Sequence, residues 1–348
     1  MPLHQFEPMV GSLETITIDS KALEGNLLGD PTRRRVVVYL PPGYHDSDER
    51  YPLFVDIVGF TGSGFSHLAW KPWQPIVPER LELLQRTGAM GKVVAAFPDC
   101  FTSLGGNQYI DSPVMGNWAQ FLTDEMIPRL ESEFRLLPGR QHRALFGKSS
   151  GGYGAIVHGL RYADHWGAVA CHSGDMDFDL VYWPWIPKTL DALARHGGLQ
   201  GFLEYFDETP KVSMDDVHYI MVLAMAATYD PDPGSPRGIR LPVDLRTCAR
   251  DREAWQRWLA HDPVVLVDNA DYQDNLRRLS GLYIDCGARD QYHLVYGARQ
   301  FVGKLQAAGI PHTYHEFDDN HTAIDYRMDH SLPFLYHALM ARDSRAPE

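Results

Sequence analysis

Leu145-Phe146-Gly147-Lys148-Ser149-Ser150-Gly151-Gly152-Tyr153-Gly154 is the stretch on which the reading of this chain turns. Gly147-Lys148-Ser149-Ser150-Gly151 satisfies G-x-S-x-G, at the point where an apolar run gives way to a glycine- and alanine-rich segment. A nucleophilic serine in such a motif rides on a strand-to-helix turn so tight that its own backbone is strained. Glycines two positions to either side remove the Cβ atoms that would clash. Only Ser149 fits, because Ser150 has Lys148 two positions before it. Gly-Lys-Ser also invites a phosphate-loop reading, but that motif needs a glycine five residues before Gly147, where His142 stands.

Working outward, short apolar runs alternate with amphipathic segments. The runs are LETITI (from Leu13), RVVVYL (from Arg35), PLFVDIV (from Pro52), KVVAAF (from Lys92), RALFG (from Arg143) and GAVACHS (from Gly167). The last four are nearly continuous in apolar residues, as strands covered on both faces are. Between them, Pro78 is placed as a first-turn residue, with Leu81 and Leu84 on one helical face and Gly88 as the stop. Trp118, Phe121, Leu122, Met126, Ile127, Leu130 and Phe134 form a broad helical stripe in which Pro128 predicts a kink. The alternation resumes after residue 278 with GLYIDCG, a helical face from Leu294 to Leu305, HTYHEF and a terminal helix containing Leu332, Phe334, Leu335 and Leu339. The expectation is an α/β-hydrolase fold: one mainly parallel sheet with helices on both faces, and Ser149 at its carboxyl edge.

Residues 175–275 break that pattern. They hold Trp183, Trp185, further helical segments and the turn-rich DPDPGSPRG. They read as a helical insertion, a candidate lid, into a core formed by 1–174 and 276–348. A packing elaboration remote from substrate is the alternative.

A serine hydroxyl is a poor nucleophile until a base takes its proton, and that base is itself oriented by a carboxylate. With an elbow serine the chain order is serine, acid, histidine, each on a loop after a late strand. GLYIDCG runs into Ala288-Arg289-Asp290, which makes Asp290 the acid; Asp285, inside the strand, is the structural alternative. HTYHEF runs into Asp318-Asp319-Asn320-His321, which makes His321 the base. Among the 16 histidines, His312 and His315 fall within that strand, His293 opens a helix and His330 lies too far on. A metal set drawn from His315, Asp318, Asp319 and His321 lacks a recognisable ligand spacing, so no metal is expected. The oxyanion donors are expected from the amides of Ser150 and of Phe60 in the loop Val58-Gly59-Phe60-Thr61-Gly62-Ser63-Gly64, with Thr61 as the fallback for Phe60.

The composition narrows the alternatives. At 348 residues, 44% hydrophobic and 22% charged, the chain has ample material for a buried core. A net charge of −13 with no long basic run argues against nucleic acid, and Arg33-Arg34-Arg35 reads as the polar entry to a strand. The N-terminus MPLHQFEPMVGS lacks the basic-then-apolar pattern of a secretory signal, and no apolar run is long enough to span a membrane. Cys100, Cys171, Cys248 and Cys286 are scattered without a CxxC pair, as in a reducing, cytoplasmic setting.

Several segments in order then resemble one esterase family, which includes esterase D (S-formylglutathione hydrolase), enterochelin esterase, feruloyl esterases and mycolyltransferases. They are VVVYLPPGY (from Val36), VGFTGSG (from Val58), FPDCFTSLGGNQYIDSPVMGNW (from Phe97), FLTDEMIPRLESEFR (from Phe121), FGKSSGGYGA (from Phe146), DCGARDQY (from Asp285) and FDDNHTAIDYR (from Phe317). The resemblance covers most of the chain outside the insertion. It implies a triad of Ser149, Asp290 and His321, acting on a small-molecule ester without a cofactor. Two departures stand out. Val58-Gly59 replaces the common His-Gly, and Lys148 stands beside the nucleophile, where it would suit an anionic group or simply be solvated at a strand end. Thr61, Lys148, Trp183 and Trp185 are the expected substrate-binding residues. An acyltransferase using the same triad and a non-catalytic binding scaffold are the rival readings. Oligomeric state is not legible, and a homo-oligomer stays open.

Overall fold

The computed structural model describes residues 8–341, so most of the N-terminal stretch read above for a signal lies outside the described residues. The apolar runs pair into one eight-stranded sheet. In chain order its strands are β1 (Ser12–Asp19), β2 (Arg33–Leu40), β3 (Leu53–Ile57), β4 (Val94–Pro98), β5 (Arg143–Lys148), β6 (Ala168–His172), β7 (Gly281–Gly287) and β8 (Thr313–Phe317). The spatial order is β1-β2-β4-β3-β5-β6-β7-β8. β2 runs antiparallel to β1 and β4, and every other neighbouring pair is parallel. Together with the helices on both faces, this is the α/β-hydrolase fold.

Alternate side chains of each central strand enter opposite layers. Val55, Ile57, Leu145, Val169 and Ile284 belong to the larger core, under α2 (Ile127–Glu133) and α3 (Ser150–Arg161). Phe54, Phe97, Phe146, Ala170 and Tyr283 face the smaller core, closed by Leu81 and Leu84 of α1 (Val77–Arg86). β5 sits in the middle of the sheet and β7 one strand in from the edge, both buried along almost their whole lengths, while the edge strand β8 is only partly buried. The kink expected at Pro128 takes another form. Residues 118–133 form one continuous helix in which the π-helical turn Phe121–Met126 runs straight into α2. Ile127 N–H reaches back to the Leu122 carbonyl, and this widened turn just before Pro128 accommodates the missing donor.

Between β6 and β7 run α4 (Ile186–Arg195), α5 (Leu199–Glu208), α6 (Met214–Tyr229), α7 (Arg252–Leu259) and α8 (Ala270–Arg277). Beyond β7 come α9 (Leu294–Ala307) and, after β8, α10 (Met328–Met340), whose Leu332, Leu335 and Leu339 complete the smaller core. All four cysteines are free thiols. No helix among the described residues is long and apolar enough to cross a membrane.

A buried histidine in α3 ties this core to the site. His158 Nε2 lies 2.8 Å from the Tyr109 carbonyl, and Trp166 Nε1–H donates to His158 Nδ1 at 3.0 Å. With Nδ1 accepting, Nε2 carries the proton and the ring is neutral. Burial pushes its pKa from 6.5 down to about 4. The folded pKa lies below the unfolded one, so between those values the unfolded chain binds more protons, and stability is lost as pH falls from 6.5 toward 4. At about 1.4 kcal/mol per pH unit, the gap is worth roughly 3 kcal/mol. In urea melts between pH 7 and 4, His158→Gln, which can still donate and accept, is expected to show a clearly shallower decline than the parent. Equal slopes would disprove this linkage. His261, also lowered to about 4 by burial, and the carboxylates held below their ordinary range, such as Asp285 and Asp325, contribute to the decline that remains.

Candidate active site

The turn between β5 and α3 positions Ser149. Its backbone sits at φ 57°, ψ −124°, a conformation that a residue with a side chain rarely adopts. The Ser149 N–H donates to the His172 carbonyl at 3.0 Å, and the Ser149 carbonyl accepts from Tyr153 N–H at 2.8 Å, which pins the turn to β6 on one side and to α3 on the other. The two flanking glycines lie against β3. A Cβ on Gly151 would strike the Ile57 carbonyl oxygen and stand 2.7 Å from its carbonyl carbon, and one on Gly147 would meet the same oxygen and the Gly151 backbone. The motif's glycines are thus required by backbone contact as well as by the turn.

The loop after β3 passes directly over the serine, and a Cβ on Gly59 would be 3.3 Å from Ser149 Cβ. Two contacts from the segment after β4 hold this loop. Tyr109 Oη–H donates to the Val58 carbonyl at 2.6 Å, and Gly106 N–H donates to the Phe60 carbonyl at 2.6 Å. Ser150 opens α3, where first-turn amides have no intrahelical acceptor. Its hydroxyl turns away toward the buried Asp175, with Oγ 3.4 Å from Asp175 Oδ2.

Asp290 follows β7 and His321 follows β8. His321 Nδ1 lies 2.8 Å from Asp290 Oδ2, and the Asp290 side chain is fully buried. Tyr292 N–H donates to Asp290 Oδ1 at 2.9 Å, the Gln291 side chain accepts from His321 N–H at 2.9 Å, and the Tyr292 ring stands edge-on to the imidazole at 5.0 Å. Asp285 is engaged elsewhere, with His172 Nδ1 at 2.6 Å, Arg327 Nε at 3.0 Å and the Tyr283 hydroxyl at 3.1 Å. Burial works to raise its pKa, but His172 and Arg327 together hold it below the ordinary carboxylate range. His315 packs on the Tyr283 ring, Asp318 pairs with Arg289 at 3.0 Å and Asp319 accepts from the Tyr326 hydroxyl at 3.1 Å. Among the described residues, no cluster of three or more histidine, cysteine or acidic side chains is arranged to hold a metal ion.

Ser149 and His321 open into one cavity of about 530 Å³, which Phe60, Thr61, Lys148 and Trp185 also line. Trp185 stacks on His218 with ring centres 4.0 Å apart. Trp183 does not line the cavity. It lies edge-on to Trp255 at 5.1 Å, with the Arg250 guanidinium 3.6 Å over its ring, because the short turn Trp183–Trp185 sends the two indoles to different sides. Sequence reasoning missed several wall residues, among them His67, Lys71, Asp175, Met221, Tyr292 and Asp325. Asp175 had a legible signal, since it stands three residues past the end of β6 on the carboxyl edge, where ligands collect. Burial raises its pKa, while the Tyr182 hydroxyl, 2.9 Å away, and the His321 charge oppose the rise.

With this geometry in view, the comparisons with known proteins agree on one lineage. Two curated proteins of Mycobacterium tuberculosis, Esterase MT1326 (strain CDC 1551 / Oshkosh) and Esterase Rv1288 (strain ATCC 25618 / H37Rv), are each 24% identical over 299 residues, covering 82% of this chain and 52% of theirs. The chain therefore spans about half the length of the curated relatives it matches. Among solved structures, a ferulic acid esterase aligns at a TM-score of 0.61 with 19% identity, over 95% of this chain and all of that one. An S-formylglutathione hydrolase from Agrobacterium tumefaciens aligns at 0.59 with 16% identity, over 97% and 99%. These likenesses are of fold. A family model described as "Putative esterase" matches residues 30–330, from β2 to the start of α10, and the chain belongs to that esterase family.

Proposed function

We propose that the protein hydrolyses a carboxylic ester through an acyl-enzyme, with Ser149 as nucleophile, His321 as base and acid, and Asp290 as the group that orients His321. The observation that carries this reading is the strained Ser149 elbow opening into the same cavity as a histidine whose Nδ1 is held by a buried carboxylate. With Nδ1–H donated to Asp290, Nε2 is left to take the Ser149 proton as Oγ bonds to the ester carbonyl carbon. The Ser150 and Phe60 amides are assigned to the developing oxyanion. As the carbon–oxygen bond to the alcohol breaks, His321 returns the proton to the leaving oxygen. Water, deprotonated by the same histidine, then attacks the acyl carbon and restores the Ser149 hydroxyl. The segment 175–275 is assigned as the cover that supplies the apolar side of the cavity, through Val181, Trp185, Val217 and Met221.

Treatment with a fluorophosphonate, followed by peptide mapping, is expected to place the adduct on Ser149 and to stop hydrolysis of a short-chain p-nitrophenyl ester. Hydrolysis that continues undiminished in fully labelled protein, or an adduct elsewhere, would sink the assignment. Asp290→Asn leaves shape intact but lets the histidine settle in the wrong tautomer, so kcat is expected to fall by about 10²- to 10⁴-fold with little change in thermal midpoint. Asp285→Asn should do the reverse, because it strips a buried ionic network of its negative charge and sets an amide N–H₂ against donors. Interchanged phenotypes would make Asp285 the acid.

A further inference from the structure

The cavity has two unlike sides. The segment between β6 and β7 contributes mainly apolar and aromatic groups, with His218 and the buried Asp175 among them, whereas the end of β5 and the loops after β3 and β8 present His67, Lys71, Lys148 and Asp325. Lys148 ends β5 immediately before the nucleophile and is only partly exposed. Lys71 Nζ lies 3.5 Å from Asp325 Oδ2, whereas no carboxylate lies within 4 Å of the Lys148 ammonium among the described residues. His67 Nδ1 is 2.6 Å from Oδ2 of Asp56, a fully buried carboxylate on β3. This leaves Nε2 as the ring's remaining polar edge. With His67 protonated, three cationic groups face two carboxylates, and one of those carboxylates, Asp56, is spent behind the imidazole.

We propose that this side is a subsite for a single carboxylate, and that the preferred substrate is an ester with a carboxylate-bearing group on one side of the scissile bond and an apolar group on the other. The inference rests on Ser149 being the nucleophile and names the substrate class for that chemistry. The Lys148 ammonium, with no carboxylate within 4 Å among the described residues and with Asp325 and Asp290 acting only at longer range, suits a monoanion. The protonation preferences agree with this arrangement. Burial pulls the Lys148 ammonium below its ordinary pKa, with Asp325 opposing, so its charged form lacks the solvation it had in water. Burial also pulls His67 down, but Asp56 more than offsets it and raises the imidazole above its ordinary value, so the cation persists toward neutral pH. Burial pushes Asp325 up, but His67, Lys71, Lys148 and Arg80 together hold it down, so it stays ionised as the partner of Lys71. A substrate carboxylate would give Lys148 the partner that the protein withholds.

The test compares p-nitrophenyl hydrogen glutarate with p-nitrophenyl pentanoate for the acyl side, and 3-acetoxybenzoate with 3-methylphenyl acetate for the alcohol side. Within each pair, the ratio of kcat/KM for the anionic over the neutral ester cancels damage to the shared chemistry. In one of the two pairs this ratio is expected to fall by about tenfold or more in Lys148→Met, as loss of a charge-assisted contact implies, and to recover in Lys148→Arg. Lys71→Met should lower the same ratio less, since Lys71 is shared with Asp325. Raising salt from about 0.05 to 0.5 M should lower the wild-type ratio several-fold, a readout that needs no variant. Ratios that stay within twofold of wild type in both pairs, with no salt response, overturn the proposal. So does failure of an enzyme whose Ser149 takes a fluorophosphonate to turn over either anionic ester. A wild-type protein that neither labels at Ser149 nor hydrolyses any of the four esters sinks the nucleophile assignment itself, a distinct result that removes the subsite with it.

Discussion

Replacing Ser149 by alanine is expected to lower kcat/KM for a short-chain p-nitrophenyl ester by about 10⁴-fold or more, with an unchanged circular dichroism spectrum. The size follows from the chemistry. Without Oγ there is no acyl-enzyme, and what remains is whatever the oxyanion amides and substrate binding do for direct attack by water. Folding should not suffer, because alanine keeps the Cβ and the turn is held by backbone contacts of residue 149 with His172 and Tyr153. The neighbouring serine supplies the internal comparison. The Ser150 hydroxyl faces Asp175 and Gln108, and the role assigned to that residue belongs to its amide, which alanine retains. Ser150→Ala should therefore cost no more than about tenfold, since both contacts of that hydroxyl are long, at 3.4 and 3.3 Å. Comparable losses in the two variants, or residual activity above about a hundredth in Ser149→Ala, would refute the nucleophile assignment.

The second large effect is structural in origin. Gly151→Ala places a methyl group against the Ile57 carbonyl, within 2.7 Å of its carbon and 3.0 Å of the Val58 carbonyl oxygen. Neither obstacle is the end of a flexible side chain. To make room, α3 must separate from β3 at the point where both hold the elbow. The expected cost is about 3 kcal/mol or more in urea denaturation, the range of severe overpacking. Activity should fall by about 10²-fold even in the folded fraction, because a displacement on the order of 1 Å misaligns the serine with its base. Gly159→Ala, two turns farther along the same helix, meets only the side-chain ends of Leu276 and Leu279, at 3.2 and 3.4 Å, and the Val169 side chain at 3.4 Å. There the gain in helix propensity of about 1 kcal/mol offsets the crowding, so stability and activity should stay close to wild type. Equal tolerance at the two positions would show that the backbone contact at Gly151 is not what fixes the elbow.

These effects also show which features were readable in one dimension. The strands were legible because β3, β4, β5, β6 and β7 are buried on both faces, and burial on both faces leaves an unbroken apolar run. The elbow was legible because its glycines answer to local backbone geometry. The juxtaposition of Asp290 and His321 could be expected from order alone, since parallel neighbours deliver their following loops to one edge. The charged side of the cavity could not. Lys71 and Asp325 are more than 250 positions apart in the chain, and His67 sits in a short turn whose only signature is its contact with Asp56. Trp183 and Trp185 were indistinguishable for a related reason: a short helical turn does not announce which of two nearby indoles lines the cavity and which faces Arg250.

One feature of the sheet bears on how the molecule would fail. Ser149 hangs from β5, buried in the middle of the sheet, while His321 hangs from β8, a five-residue edge strand paired only with β7 and partly open to solvent. Edges open at lower free energy than centres. The two ends of the proposed proton transfer thus belong to regions of unequal durability. Detachment of β8 alone would silence the chemistry while the rest of the sheet stayed intact, so the working lifetime of such an enzyme is set by its weakest border and not by its core.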